Sequence, residues 1–592
     1  MKRVVVGLLL ALTLPMSVAL AQRPANAPET APAGKAPDTV YLEELTWAEV
    51  RDMVAAGKTT VIVGTAGQEQ KGPHMVDSEH HQVMDYTADK IARALGNTLV
   101  APTITYVPEG SWENIGGHMA KPGTISLPED RFLELLLATG RSLKAGGFKT
   151  ILFIGESGGN QAGMSKAADT LNELWKGSAR AFWIGDYYAK SHTDQENYIA
   201  DKLGVARDKI GGHANLMDTS ELLLVNPKGV RKNKLADWAY PNSGVSGDPT
   251  KSTPELGKIF IQMKVDNSLA QIKKVMAMPA PPNYAAEAAA AQAARGAAAG
   301  GGARGGGGRG GQRGAADAAA APAAKLEPTM LTAPASISPT TPPDTTYLEE
   351  LTWEEVRDLL KAGKTTVIIP TGGTEKNGYQ MVLGKHNYVI ARTADMMARR
   401  IKNTLVAPVV KWVPEGNVDS QCPGCLSLPS PVYDSLLDAT ARSLKIQGFK
   451  EILMIGDSGG NQAGMKAVAD KLNVEWKDQG VKVYALLDYY EQSRIYFRAW
   501  LQAQFGYDEQ TAGSHAGITD TSQMLYIMPT GIRKDQMKAW GGPKDSGVSG
   551  DPSKATPEIG KMGLEFKVNA GINQYNLLKN PPQRGGRGGG GR

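Results

Sequence analysis

Two histidines and three acids stand at matching places in the two halves of this 592-residue chain. His386 and His515 are the only histidines of the second half, and each aligns with a histidine of the first, His80 and His213. Glu69 answers Glu375, Asp186 answers Asp488, and Asp218 answers Asp520. Carboxylates and imidazoles together suit a single zinc or manganese ion with one position left open for water. They equally suit a metal-free general acid and base. Glu156 and Asp457 are two further acids, although an acid before a Gly-Gly turn also serves to bond the amides that open the next helix.

Three other signals carry less. Gly456-Asp-Ser-Gly-Gly460 reads like the nucleophile loop of trypsin-type proteases, which are all-β, whereas this loop follows an apolar run and enters a helical pattern. A Ser458 nucleophile with His386 as its base is therefore the minor reading. Cys422-Pro-Gly-Cys425 aligns with a segment holding Lys121 and Thr124, so whatever the halves share does not need thiols, and a local disulfide is the expected use. Trp47 and Trp353 are expected to pack in the core at helix starts.

The elements that position these residues are written twice. Tyr41-Leu-Glu-Glu-Leu-Thr-Trp47 returns as Tyr347 to Trp353, Ser157 to Met164 returns as Ser458 to Met465, and Gly244-Val-Ser-Gly-Asp-Pro249 returns as Gly547 to Pro552. Each copy is long enough to be a whole domain, which gives domains at 38–280 and 344–580. An Ala/Gly/Pro-rich linker at 281–343 joins them, and an Arg-Gly tail follows at 581–592. Residues 1–21 have a basic start, an apolar stretch and an Ala-x-Ala site, the pattern of a signal peptide, so the chain is expected to be exported to the periplasm or the cell exterior. Setting aside Lys2 and Arg3, Arg295, Arg304, Arg309 and Arg313, and Arg584, Arg587 and Arg592 takes the formal charge from +5 to about −4. The domains are thus no basic nucleic-acid platform, and beyond residue 21 no apolar run would span a bilayer. The expected partner is a small-molecule substrate.

Within the first copy, apolar runs at Thr59–Val63, Leu99–Tyr106, Thr150–Ile154 and Ala181–Ile184 alternate with helical patterns at His80–Leu95, at Glu129–Ala145 and after Gly163. This alternation predicts an α/β fold, a mostly parallel sheet with helices on both faces. The polar clusters Gly67-Gln-Glu69, Gly155 to Asn160 and Asp186-Tyr-Tyr188 then fall in loops at the carboxyl ends of strands, where such sheets bind ligands.

Gly67-Gln-Glu-Gln-Lys-Gly-Pro-His74, Gly155 to Asn160, His213-Ala-Asn-Leu-Met-Asp-Thr-Ser220, Pro122-Gly-Thr-Ile-Ser-Leu127 and Gly244 to Pro249 form, with their second-copy counterparts, an ordered set that resembles the creatininase (creatinine amidohydrolase) family. The resemblance covers both domains nearly end to end and implies two tandem creatininase-like domains. That family usually holds two divalent ions. Of its ligand positions only the Glu is kept, as Glu69 and Glu375. The first His is replaced by Lys71 and Asn377, the Asp by His80 and His386, the second-element His by Ser157 and Ser458, and a further acid by Gly159 and Gly460. A protonated lysine repels a metal, so a dinuclear site is not expected in the first domain. The resemblance implies instead a rebuilt mononuclear zinc or manganese site from Glu69, His80 and Asp218, and from Glu375, His386 and Asp520. It assigns proton transfer to His213 and His515 beside Glu69 and Glu375, and implies substrate contacts from Ser157, Asn160, Asp186, Ser458, Asn461 and Asp488. Oligomers occur in the family, so a homo-oligomer of two-domain chains is a further expectation.

Two functions follow. One is an exported amidohydrolase cleaving a C–N bond of a small cyclic amide or related compound. The other is a catalytically degenerate protein that binds a small ligand in the old cleft. The same Asp-to-His change in both copies favours a repurposed site over decay.

Overall fold

The computed structural model describes residues 36–289, 341–538 and 546–581. The expected signal segment, the linker from 290 to 340 and the tail from 582 lie outside the described residues.

Each copy builds a four-stranded parallel sheet in the order β2-β1-β3-β4, with β1 Thr60–Thr65, β2 Thr98–Val100, β3 Thr150–Gly155 and β4 Arg180–Trp183. Thr60 stands opposite Thr98 on one side and Thr150 on the other. The helices are α1 Trp47–Ala55, α2 Glu79–Leu95, α3 Glu129–Ala145, α4 Asn160–Trp175, α5 Ala189–Leu203, the single turn α6 Arg207–Ile210, α7 Leu216–Val225 and α8 Pro254–Met276. The second sheet, β5 Thr366–Thr371, β6 Thr404–Val406, β7 Glu451–Gly456 and β8 Lys482–Ala485, repeats the order. The expected α/β architecture is what forms. Strand residues alternate between two cores: Val61 and Val63 join a cluster with α1, α3 and α4, while Ile62 joins one with α2 and α8. Both faces are covered, which is why the strands read as unbroken apolar runs.

One expectation is corrected. The run from Leu99 to Tyr106 is strand only to Val100, because Pro102 has no N–H to give a ladder. The chain touches the sheet once more, where Ile104 bridges Thr65, and then runs as a loop to Glu109. Just past the expected bound at 280, Tyr284 stacks edge-on against Trp183, its hydroxyl accepts the Trp183 N–H at 3.0 Å, and a short helix follows at 284–289.

The two copies share one core and meet about a pseudo-twofold axis. The largest apolar cluster takes Leu42, Trp47, Leu136 and Leu143 from the first copy and Leu348, Val356, Leu437 and Leu444 from the second. Its polar rim repeats itself reciprocally. Glu49 and Glu355 each close a capping box on the helix that follows Thr46 or Thr352. The same carboxylates take a two-pronged ion pair from the opposite copy, Arg533 on Glu49 at 2.6 and 2.8 Å and Arg231 on Glu355 at 2.7 and 2.8 Å. Ser443 accepts the Ser126 N–H while Ser142 accepts the Ser427 N–H, both at 3.2 Å. Trp47 and Trp353 are core residues as expected, and each also lies under a lysine, Lys376 at 4.1 Å and Lys121 at 4.3 Å. Cys422 and Cys425 form the local disulfide, in a loop where Gly424 would bring a Cβ against Val50 of the first copy.

Candidate active site

Each domain carries one cleft at the carboxyl ends of its strands, of about 720 Å³ in the first and 600 Å³ in the second. The loop after β1 brings Glu69 and Lys71, the first turn of α2 brings His80 with Glu79 buried behind Lys71, the loop after β2 brings Glu109, and the end of β3 brings Glu156 and Ser157. His213 enters just before α7, and Asp218 sits in that helix's first turn.

His213 is held by a device that recurs in both copies. Gly244 O lies 2.8 Å from His213 Nδ1, and Ser246 N donates to the His213 carbonyl at 2.8 Å. In the second copy Gly547 O lies 2.6 Å from His515 Nδ1, and Ser549 N donates to the His515 carbonyl at 2.8 Å. The Gly-Val-Ser-Gly motif is therefore the clamp for this histidine. Gly211 permits the close approach, since a Cβ there would strike the Ser246 carbonyl at 1.8 Å. The next residue, Ala214 or Ala516, is forced to φ 51°, a conformation that costs an alanine free energy and is kept only where the surroundings dictate it.

With Nδ1 fixed as a donor to a carbonyl, Nε2 faces the glutamate: His213 Nε2 is 3.2 Å from Glu69 Oε1, and His515 Nε2 is 3.0 Å from Glu375 Oε1. Burial opposes a charge on His515, but the Glu375 carboxylate raises its pKa. Glu375 in turn is held well below the usual carboxylate range by His515 and His386, against the opposing effect of burial. Behind each glutamate lies a second one. Burial and the neighbouring carboxylate push Glu109 and Glu415 well above the ordinary carboxylate range. Gly67 and Gly373 make room for them, since a Cβ at either would lie 2.1 Å from the Glu109 or Glu415 carboxyl.

The residues expected to ligate a metal do converge, but around an ammonium. Lys71 Nζ lies 2.6 Å from His80 Nε2, 3.1 Å from Glu69 Oε1, 3.1 Å from Glu79 Oε2 and 3.3 Å from Asp218 Oδ2. Burial disfavours its charge, yet Asp218, Glu79 and Glu69 more than offset that and hold its pKa well above normal. His80, buried beside it, is pushed down to about 3 and stays neutral, accepting from the ammonium. In the second cleft Lys385 Nζ lies 2.9 Å from His386 Nε2 and 3.4 Å from Asp520 Oδ2. The expected donor sets Glu69, His80, Asp218 and Glu375, His386, Asp520 thus already enclose a cation, and a divalent ion does not fit among them. Two other groups in the first cleft bring three ligand atoms within 4.8 Å of one another, Glu69 with His118 and His213 and Glu69 with His80 and Glu109. In the latter the His80 ring already lies against Lys71 Nζ at 2.6 Å, so the former suits an ion better.

Other expected residues divide. Ser157 and Ser458 line their clefts. Ser458 donates to Glu415 at 3.0 Å, while His386 is engaged by Glu375, Lys385 and Asp457, so no serine–histidine pair forms. Asn160 and Asn461 are corrected to a structural role: both are fully buried, and their amides donate to the Thr65 and Thr371 carbonyls. Asp186 and Asp488 are corrected as well. The turn after β4 faces Tyr188 into the first cleft and sets Asp186 over α8, where its N–H donates to Gln271; Asp488 makes the matching bond to Gln574. Glu156 and Asp457 do not cap helices but accept from Lys264 at 2.7 Å and Lys567 at 2.6 Å. The expectation missed Glu109 and Glu415, although Val-Pro-Glu-Gly recurs at 107–110 and 413–416, and it missed Glu79 and Lys385, which differ between the copies.

The family profile described as creatinine amidohydrolase matches residues 43–272 and again 349–573. The chain belongs to that family of C–N hydrolases, as two tandem members. It is 24% identical over 225 residues to the mycofactocin precursor peptide peptidase of Mycolicibacterium smegmatis, covering 34% of this chain and 81% of that one. It is 20% identical over 200 residues to the creatinine amidohydrolase of Pseudomonas putida, covering 32% and 75%. A solved manganese creatininase aligns at 19% identity with a TM-score of 0.34, covering 40% of this chain and 98% of that one.

Proposed function

We propose that each cleft hydrolyses a C–N bond of a small cyclic amide, in a protein exported from the cell. The observation that carries this is the glutamate–imidazole pair made twice, with one ring nitrogen held on a backbone carbonyl and the other on Glu69 or Glu375. In this reading the glutamate takes a proton from water as the water oxygen attacks the amide carbon. The C–N bond then breaks, and the histidine Nε2–H supplies the proton to the departing nitrogen. The proton on the glutamate passes back across the 3 Å contact to the histidine, and the ring has opened to a single product that carries both the new carboxylate and the freed nitrogen. The clefts have the size of small-molecule sites. In the first cleft, Glu69, His118 and His213 would hold one zinc or manganese ion, which polarises a carbonyl when bound. No residue of the second copy answers His118, so the chemistry shared by both clefts does not run through that ion.

The test is a panel of creatinine, related cyclic amides and short peptides, followed by chromatographic detection of the ring-opened or cleaved product. Turnover of a cyclic amide that falls by roughly 10²–10⁴-fold in His213→Asn/His515→Asn supports the reading. Binding without turnover across the panel, unchanged by those substitutions, would instead leave a ligand-binding protein on the same fold.

A further inference from the structure

Lys71 and Lys385 are not aligned with each other. The residue that answers Lys71 in the second copy is Asn377, and the residue that answers Lys385 in the first is Glu79. Their side chains nonetheless bring a nitrogen to the same place in each cleft, against His80 Nε2 and Asp218 Oδ2 in one (2.6 and 3.3 Å) and against His386 Nε2 and Asp520 Oδ2 in the other (2.9 and 3.4 Å). Both lysines are buried, at 1% and 2% exposure. The position Lys71 leaves is filled in the second copy by Asn377, whose amide donates only to the carbonyls of Glu375, Val382 and Leu383 and so carries no charge into the cleft.

A buried cation of this kind is costly unless its neighbours pair it. Two clefts that draw it from different turns of the chain have therefore kept the place of a charge rather than the identity of a residue. We propose that Lys71 and Lys385 are built-in cations, each standing where its cleft's carboxylates and histidine would otherwise hold a divalent ion. The inference holds whether the clefts hydrolyse or only bind, because its readout is metal and stability rather than turnover.

The second cleft gives the cleaner test, since among the described residues the only groups of histidine and acid close enough to share an ion lie in the first. Three full-length chains are compared by thermal unfolding with and without added zinc or manganese: the natural sequence, Lys385→Glu, and the exchange Asn377→Lys/Lys385→Glu, which installs the first cleft's arrangement in the second. Lys385→Glu is expected to lower the unfolding temperature by roughly 5–10 °C and to regain at least half of that on adding the ion. The exchange is expected to restore the natural unfolding temperature and to remove the ion's effect. Any shift caused by the first cleft's groups, Glu69 with His118 and His213 or with His80 and Glu109, is common to all three chains and subtracts out. An exchange no more stable than Lys385→Glu, or equally rescued by metal, would overturn the proposal. So would a natural chain that binds one ion per second cleft and loses it in His386→Ala.

Discussion

The two clefts agree on the place of their charges and differ in what surrounds them. Around the shared glutamate, histidine and ammonium, the first cleft adds His118 and His192, both carried on its own loop and helix. The second has Arg494 where the first has His192, and Arg498 where the first has Glu196. Arg498 is occupied by Glu509 at 2.7 Å, while Arg494 lies over the Tyr490 ring at 4.9 Å, facing the cleft. What the copies hold in common is the inner machinery; what they vary is the rim that meets a ligand. Such a division teaches that duplication here has separated reaction from selection.

Several substitutions would break or sharpen that comparison. The largest effect is expected at the shared boundary: Arg533→Met leaves the Glu49 carboxylate buried and unpaired, and should cost about 3 kcal/mol. Arg231→Met should cost a similar amount if the axis is as symmetrical energetically as it is in geometry, and urea unfolding of the two variants compares them directly. Next, Arg494→His gives the second cleft the first cleft's residue. A small amide bearing a carboxylate should then bind about tenfold more weakly to that cleft, a loss of about 1.4 kcal/mol read by calorimetry. The smallest effect concerns His81, which lies 3.2 Å from Asp85 and 3.5 Å from Glu349 of the other copy and has Asn387 as its counterpart. Burial opposes its charge, yet Asp85 and Glu349 hold its pKa up at about 10. A histidine raised in the folded state stabilises fully below about pH 6.5 and loses that contribution as the pH climbs toward 10. His81→Asn should flatten the fall in stability across that window, by about 1 kcal/mol given the exposure of Asp85. A stability profile unchanged by the substitution would show that the pair across the copies contributes nothing.

Much of this was legible in the sequence, for identifiable reasons. Helix α3 falls at Glu129–Ala145 as its apolar spacing predicts, and the sheet follows from runs buried on both faces. Glu69, His80, His213 and Asp218 were legible because both copies keep an acid or histidine at each place. The central lysines were not, because comparing copies finds the same residue at the same position, whereas here an atom's location is kept while the residue that supplies it moves. Lys71 could be read only as an obstacle to metal, and Lys385 not at all. Asp186 misled for a simpler reason: its place at a strand end is right, but the turn after β4 gives that view of the first cleft to Tyr188.

The shared apolar core also sets a problem of timing. During synthesis the first copy is finished well before Arg533 exists to meet Glu49, and Leu42, Trp47 and Leu136 have no second half to cover them. At roughly 5–20 residues per second, the stretch from residue 289 to 533 takes on the order of 10–50 s to make. For that interval the first copy carries half of an interface whose other half has not been made, so the shared core closes only once the second copy is complete.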